Sequence, residues 1–162
     1  RRVIAIVYQG PKAIRSIRDI CGPTNPHDAR VQRPGCIRAL GTVVPIKDEK
    51  GDFIGDRVDN LIHASANPED AQREIKLWFK PTDIPAPMRQ YPTEINEEFY
   101  YYKENGVFTE HRPGSFCFIS PGDLVWKSDL DALRQIVSGS SAQLTANAVV
   151  AKYLINKESE NR

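Results

Sequence analysis

The feature that most limits the fold of this chain is a continuous apolar run at residues 3–8, VIAIVY. Such a run suits a strand that is covered on both faces, although periodicity alone also allows a buried helix. We interpret it as a central strand of a sheet. The next segment predicts a short amphipathic helix, because Pro11 suits a helix start, apolar residues recur at helical spacing as far as Cys21, and Gly22 favours a stop.

A second helix is predicted from Pro68, because Asn67 is a good N-cap and two acidic residues follow. Its apolar stripe consists of Ala71, Ile75 and Trp78. Glu74 falls on the same stripe, although a carboxylate prefers water. Upstream, residues 61–65 alternate as on a short strand, so His63 is expected where a strand ends and a loop leads into the helix. Open α/β sheets bind ligands at such strand ends.

The charge balance provides no overall field that attracts polyanions, since 22 Lys and Arg residues face 21 Asp and Glu residues. We therefore expect no nucleic-acid partner and no membrane association, and any anion site must be local. No apolar run approaches the roughly 20 residues that span a bilayer. Three widely spaced cysteines favour reduced thiols in a cytoplasmic protein over a disulfide framework. Because the chain begins without Met and with a strand-like run, we expect that an N-terminal part is missing from this sequence.

Turn-forming residues divide the rest of the chain into segments. The segment PTNPHDARVQRPG at residues 23–35 is expected to be a loop, and the charged excursion at residues 46–55 a surface hairpin with a turn at Lys-Gly. Four prolines in residues 81–92 predict a linker. We therefore predict that one domain covers residues 1–81 and that the remainder is a separate extension.

The extension, residues 82–162, is predicted to be α+β and has no assigned role. Two hairpins are expected, one with an Asn-Gly turn at residues 105–106 and one with a Pro-Gly turn at residues 121–122. Ser128 is expected to cap the following helix, and a last helix is predicted over residues 145–154.

Side chains suited to phosphate chemistry stand at element ends or in loops of the first domain, where sites are built on a rigid scaffold. They are Arg18, Thr24, Arg38, Asn60, His63 and Ser65. Guanidinium groups offer planar forks of donors to phosphate oxygens, and a threonine adds one more hydrogen bond. A histidine can accept a phosphoryl group on one ring nitrogen if an acceptor such as Glu74 orients the other.

Each of these residues also has a structural interpretation. His63 could be a hydrogen-bonded residue at a strand end, and the two arginines could be solvated charges or partners of helix C-termini. Thr24 could shape the turn before Pro26, and Asn60 could hold a loop. Glu74 could pair with a buried arginine. The residues alone leave these alternatives open.

Two segments resemble the second half of a nucleoside diphosphate kinase. RDICGPTNPHDARVQRPGCIRAL is similar to a GxTNPxxA…PGxIR loop of that family, and DNLIHASANPEDAQREIKLWF to its NxIHxSxxxExAxxEI segment. The resemblance covers residues 3–81. It implies a ferredoxin-like α/β sandwich with an antiparallel sheet, transfer of a γ-phosphate between nucleotides through a phosphohistidine, and assembly into homo-oligomers.

By this resemblance His63 is the phosphorylated nucleophile, Glu74 its orienting carboxylate and Ser65 a hydrogen-bonding neighbour. The substrates would be ATP and other nucleoside di- and triphosphates. Arg18, Thr24 and Arg38 would hold the phosphates of the nucleotide, and Asn60 would contact its ribose hydroxyls. Mg²⁺ would bridge the nucleotide phosphates rather than sit in a protein cage.

The sequence also departs from the family pattern. The family's first half, which carries its phosphate-binding lysine, is not in this sequence, and residues 46–55 are an insertion. The family's HGSD is HASA here, so Ala64 replaces a glycine near the phosphate and Ala66 replaces an acidic residue. The alternative function is therefore a nucleotide-binding regulatory module of kinase-like fold with weak or no catalysis.

Overall fold

Helices and antiparallel strands make up most of residues 3–155, the part of the chain that the computed structural model describes. They form two units, one ending at Ala71 and the other beginning at Gln72. The predicted mixed α/β class with antiparallel sheets is confirmed, and it is consistent with the ferredoxin-like fold that the resemblance implies. Among the helices of these residues, none combines the length and the hydrophobicity that a membrane span requires.

The first unit consists of short helices and one two-stranded sheet. Its elements are α1 (Ala13–Cys21), α2 (Pro26–Gln32), a 3-10 helix (Ile37–Leu40), β1 (Thr42–Lys47) and β2 (Phe53–Asp59). Helix α1 ends as predicted at Gly22, whose φ of 80° suits glycine and whose N–H donates to the Arg18 carbonyl. The Cys36 side chain packs so closely on Gly22 that a Cβ there would lie 2.1 Å from its Sγ.

Helix α2 occupies residues that were predicted to be a loop, so that prediction was wrong. The Asn25 side chain accepts a hydrogen bond from the His27 N–H at 2.8 Å, and Pro26 takes the first helical position. The same Asn-Pro pair starts α3 (Pro68–Trp78) as predicted, with the Asn67 side chain accepting from the Asp70 N–H at 2.7 Å. The signal for α2 was therefore present in the sequence.

Two predicted strands are absent from the described residues. Residues 3–8 pair with no strand within residues 3–155, and the side chains of Val3 and Ile4 are exposed. A strand requires a neighbour that accepts and donates its ladder hydrogen bonds, and apolar composition does not supply one. Residues 61–65 are also irregular, because β2 ends at Asp59 and a tight turn follows it.

The insertion forms the predicted surface hairpin. Strands β1 and β2 pair antiparallel, with Val43 opposite Val58, and residues 44–54 are exposed. The Asp48 carboxylate closes the turn by accepting two backbone N–H bonds at 2.9 Å, and Gly51 has a φ of 89°. The hairpin is longer than predicted because its strands extend outside the insertion.

The second unit has two small sheets and two packed helices. Helix α3 continues into it and is followed by two 3-10 helices, Pro81–Asp83 and Ala86–Met88. Its strands and helices are β3 (Thr93–Ile95), β4 (Tyr100–Lys103), β5 (Gly106–Phe108), β6 (Phe116–Ile119), β7 (Leu124–Trp126), α4 (Lys127–Val137) and α5 (Ala146–Ile155). Its core contains Tyr100, Phe118, Ile119, Leu130, Leu133 and Val149.

Only one of the two hairpins predicted in this region forms. Strands β4 and β5 pair as expected, although the two positive-φ turn residues are Glu104 and Asn105, one position earlier than predicted. Strand β6 instead pairs with β4, and β7 pairs with β3. The buried Asn96 explains the difference, because its backbone bonds to Gly122 and Asp123 and carries β3 alongside β7.

The helix predictions in this unit have mixed outcomes. Ser128 lies in the first turn of α4 and its Oγ is buried with no hydrogen-bond partner among residues 3–155, so the predicted cap is wrong. Helix α5 begins within one residue of the prediction, and the Thr145 hydroxyl accepts from the Ala148 N–H at 3.3 Å. On α3, Ala71 and Ile75 are half-buried, whereas Trp78 is 52 % exposed.

Candidate functional site

Arg38 lies in the middle of the predicted site and is only 4 % exposed. Its Nη1 donates to the Gly22 carbonyl at 2.8 Å. Its Nε and Nη2 both donate to the Ile62 carbonyl, at 3.2 and 3.1 Å. These bonds join the end of α1 to the segment that precedes His63. They agree with the alternative in which Arg38 partners a helix C-terminus, since Gly22 is the C-cap of α1.

Arg18 contacts the other side of the same segment. It stands in the last turn of α1, and its Nη1 donates to the Ala64 carbonyl at 3.3 Å. The two predicted arginines therefore bond to the carbonyls of the two residues that flank His63, Ile62 and Ala64. The His63 side chain is exposed, and Ser65 is half-buried.

The backbone just before His63 makes a tight turn. Leu61 has a φ of 69°, and the Ile62 N–H donates to the Asn60 carbonyl at 2.8 Å, which closes a turn of three residues. A positive φ is uncommon for a non-glycine residue, and strain of this kind costs about 1–3 kcal/mol. Sequence reasoning missed this turn because leucine is not a residue that favours positive φ.

Asn60 connects the turn to the loop after α1. Its Nδ2 donates to the Thr24 carbonyl at 3.2 Å, and the Thr24 side chain is exposed. The first unit thus brings most of the predicted site residues into one hydrogen-bonded neighbourhood. They are Arg18, Thr24, Arg38 and Asn60, together with the segment that carries His63.

A shallow cavity of about 340 Å³ lies beside Arg18. It is lined by Arg18, Asp19, Gly22, Pro23, Gln32 and Arg33. Arg33 is held by Asp19, with 2.9 Å between Nη1 and Oδ1, and both side chains are half-exposed. Gln32 and Arg33 are not among the residues predicted from the sequence.

Glu74 belongs to the second unit and His63 to the first, so an orienting contact between them stays a prediction. The Glu74 side chain is 17 % exposed, and its Oε1 lies 3.5 Å from Nη2 of Arg73. Arg73 itself is exposed. The Glu74 carboxylate is thus partly buried, in keeping with its predicted position on the apolar stripe of α3.

The side chains of the site suit phosphate oxygens rather than a metal ion. Arginine, threonine and asparagine donate hydrogen bonds, and the anionic or imidazole ligands that a metal cage needs are not clustered there. Within residues 3–155 no group of three or more His, Cys, Asp and Glu residues could hold a metal ion.

Comparison with known proteins shows which family the first half of the chain is similar to. The family model described as nucleoside diphosphate kinase matches residues 1–84. Nucleoside diphosphate kinases from Synechococcus sp. (strain JA-3-3Ab) and Methanocaldococcus jannaschii are 43 % and 42 % identical over 82 and 83 residues. A nucleoside diphosphate kinase from Thermus thermophilus is 40 % identical over 82 residues.

The matched segments cover 51 % of this chain and 45 %, 49 % and 49 % of these three relatives, in that order. The chain therefore spans about half the length of the curated relatives it matches. No solved structure matches the chain. Because the family model covers more than half of the 162 residues and its motifs contain the site residues, the chain belongs to the nucleoside diphosphate kinase family.

Proposed function

We propose that the protein acts as a nucleoside diphosphate kinase through a phosphohistidine at His63. The observation that carries this proposal is the cluster of phosphate-type donors around the segment of an exposed histidine, in a chain of that family. An exposed histidine in a segment whose backbone is bonded by two arginines suits an in-line attack on a phosphoryl group, whose charge the guanidinium groups would stabilise.

The reaction would proceed in two balanced steps. A ring nitrogen of His63 attacks the γ-phosphorus of a nucleoside triphosphate, a P–N bond forms, and the bond to the β-phosphate oxygen breaks, which releases the diphosphate. The terminal oxygen of a second nucleoside diphosphate then attacks the phosphorus of the phosphohistidine, a P–O bond forms and the P–N bond breaks, which releases the triphosphate and regenerates the imidazole. Glu74 would accept the other ring N–H and stabilise the charge on the ring, and Ser65 would hydrogen-bond in the transfer.

The nucleotide would be held by the donors of the first unit. Arg18, Thr24 and Arg38 would contact phosphate oxygens, and Asn60 would contact the ribose hydroxyls. Mg²⁺ bound to the nucleotide would neutralise part of the phosphate charge. We also propose a cytoplasmic location, in keeping with three free cysteines, and a homo-oligomer, as the family resemblance implies.

The test is transfer of labelled phosphate from γ-labelled ATP to the full-length protein. We expect a label that is stable in alkali, labile in acid and discharged by a nucleoside diphosphate. His63→Asn should abolish the label, whereas the matched control His27→Asn, at an exposed histidine on α2, should retain it. Nucleotide binding without any label would contradict the proposal and support a regulatory module instead.

A further inference from the structure

The two arginines of the site contact the protein's own backbone on both sides of His63. Arg38 donates twice to the Ile62 carbonyl, and Arg18 donates once to the Ala64 carbonyl. The carbonyls that flank one exposed residue are thus both held by guanidinium groups. The family resemblance implies that these arginines are phosphate ligands, and neither that role nor the alternative of helix C-terminal partners predicts the bonds to Ile62 and Ala64.

The contacts of Arg38 are the stronger of the two sets. Its guanidinium is nearly excluded from water, where charge-assisted hydrogen bonds gain strength, and a third bond anchors it to the Gly22 carbonyl. Three of the five N–H groups of this side chain are therefore committed to backbone oxygens. The planar guanidinium group is required for this geometry, because the ammonium group of a lysine cannot donate to the Gly22 and Ile62 carbonyls in the same way.

The carbonyl that Arg38 holds belongs to the strained turn. Ile62 is the third residue of that turn, and Leu61 at its centre has a φ of 69°. Strained backbone persists only where its surroundings determine it. Arg38 ties this turn to the rigid end of α1, which fixes the direction in which the next residue leaves the turn.

We propose that Arg38, assisted by Arg18, is a positioning residue that orients His63 for phosphoryl transfer before any nucleotide binds. The proposal rests on the proposed role of His63 as nucleophile. It assigns Arg38 a function that is separate from phosphate binding, because the contacts exist in the protein alone.

The experiment compares Arg38→Lys with Arg30→Lys in the full-length protein. Arg30 is the matched control, since its Nη1 also donates to two backbone carbonyls, those of Ala39 and Gly41, but neither adjoins His63. The first measurement is hydrogen exchange of the Ile62 amide without nucleotide. The second is the rate at which phosphoramidate, whose P–N bond breaks with loss of ammonia, phosphorylates His63 relative to His27 and His111.

We expect Arg38→Lys to raise the exchange rate of the Ile62 amide about 10-fold or more, because the turn loses its anchor. The rate of His63 phosphorylation per folded molecule should fall by a similar factor, with His27 and His111 unchanged. Arg30→Lys should change neither quantity. If Arg38→Lys does not fold, Arg18→Lys replaces it, and we expect the rate of His63 phosphorylation to fall about 3-fold, since one part-buried bond to the Ala64 carbonyl is lost.

The proposal is overturned if Ile62 exchange in Arg38→Lys stays within twofold of wild type, if Arg30→Lys has an equal effect, or if His63 phosphorylation is unchanged in molecules that merely melt earlier. Failure of the proposed function gives a different pattern. In that case ATP leaves His63 of the wild-type protein unlabelled, whereas phosphoramidate still phosphorylates it, and the exchange data still decide whether Arg38 holds the turn.

Discussion

Substitution of Lys152 tests how much a buried ion pair between α4 and α5 contributes to the free energy of unfolding. Its Nζ lies 2.6 Å from Oδ2 of Asp129, and the Tyr153 hydroxyl donates to the same oxygen at 2.8 Å. The exposed fractions of the Lys152 and Asp129 side chains are 4 % and 0 %. Within residues 3–155 the second oxygen, Asp129 Oδ1, has no hydrogen-bond partner.

We predict that Lys152→Met lowers the free energy of unfolding by about 3–5 kcal/mol, because Asp129 is left charged and buried. Asp129→Asn combined with Lys152→Met should recover most of that loss, since no charge then remains in the core and Tyr153 keeps an acceptor. The direction of the Lys152 pKa shift supports the recovery expected for the double variant. Burial lowers this pKa below the ordinary value, and the attraction of Asp129 does not compensate fully.

Urea denaturation at neutral pH, with circular dichroism as the probe, measures both variants. The pH dependence is a second assay. Because the pKa of Lys152 is lowered in the folded state, the unfolded chain binds more protons between that pKa and about 10.5, so wild-type stability rises with pH in this range relative to Lys152→Met. A loss below about 1 kcal/mol for Lys152→Met, or a double variant as unstable as the single one, would refute the reasoning.

Three further predictions concern the first unit and the proposed reaction. Glu74→Gln should slow His63 phosphorylation roughly 10- to 100-fold with little change in nucleotide affinity, because the rate loss corresponds to one charge-assisted bond of about 1.5–3 kcal/mol. An unchanged rate per folded molecule would remove Glu74 from the mechanism. Gly22→Ala should lower the free energy of unfolding, measured in urea, by about 1–3 kcal/mol more than Gly35→Ala does. Both glycines have a positive φ, but only Gly22 has the Cys36 side chain against it, so equal losses would contradict the packing argument. Deletion of residues 47–55 should leave a cooperative thermal transition, and a variant that does not fold would show that this exposed hairpin belongs to a core or subunit interface.

Local chemistry explains which elements could be predicted. Asn67 and Pro68 define the start of α3 because an N-cap and a fixed φ act on the adjacent residues alone. The same pair at Asn25 and Pro26 starts α2, so the signal for this helix is equally local. Gly22 ended α1 for an equally local reason, since glycine takes a positive φ without a steric cost.

Pairing between strands could not be predicted in the same way. Residues 3–8 have strand-like composition but pair with no strand within residues 3–155, and β6 and β7 pair with different partners although a Pro-Gly turn joins them. A strand depends on a neighbour that is distant in sequence, so its composition predicts only a tendency. The backbone bonds of Asn96 to Gly122 and Asp123 decide the second case, and they join residues that are distant in sequence.

The sequence by itself determined the family, the order of the motifs and the residue types of the site, because side-chain chemistry and spacing are properties of the chain. Tertiary structure alone decided that Arg38 is buried, that it and Arg18 hold the carbonyls on both sides of His63, and that Leu61 takes a positive φ. The physical reason is that a guanidinium side chain bonds to whichever acceptor the fold brings within reach. Every residue has the same backbone carbonyl, so the residue types do not indicate which carbonyl will accept.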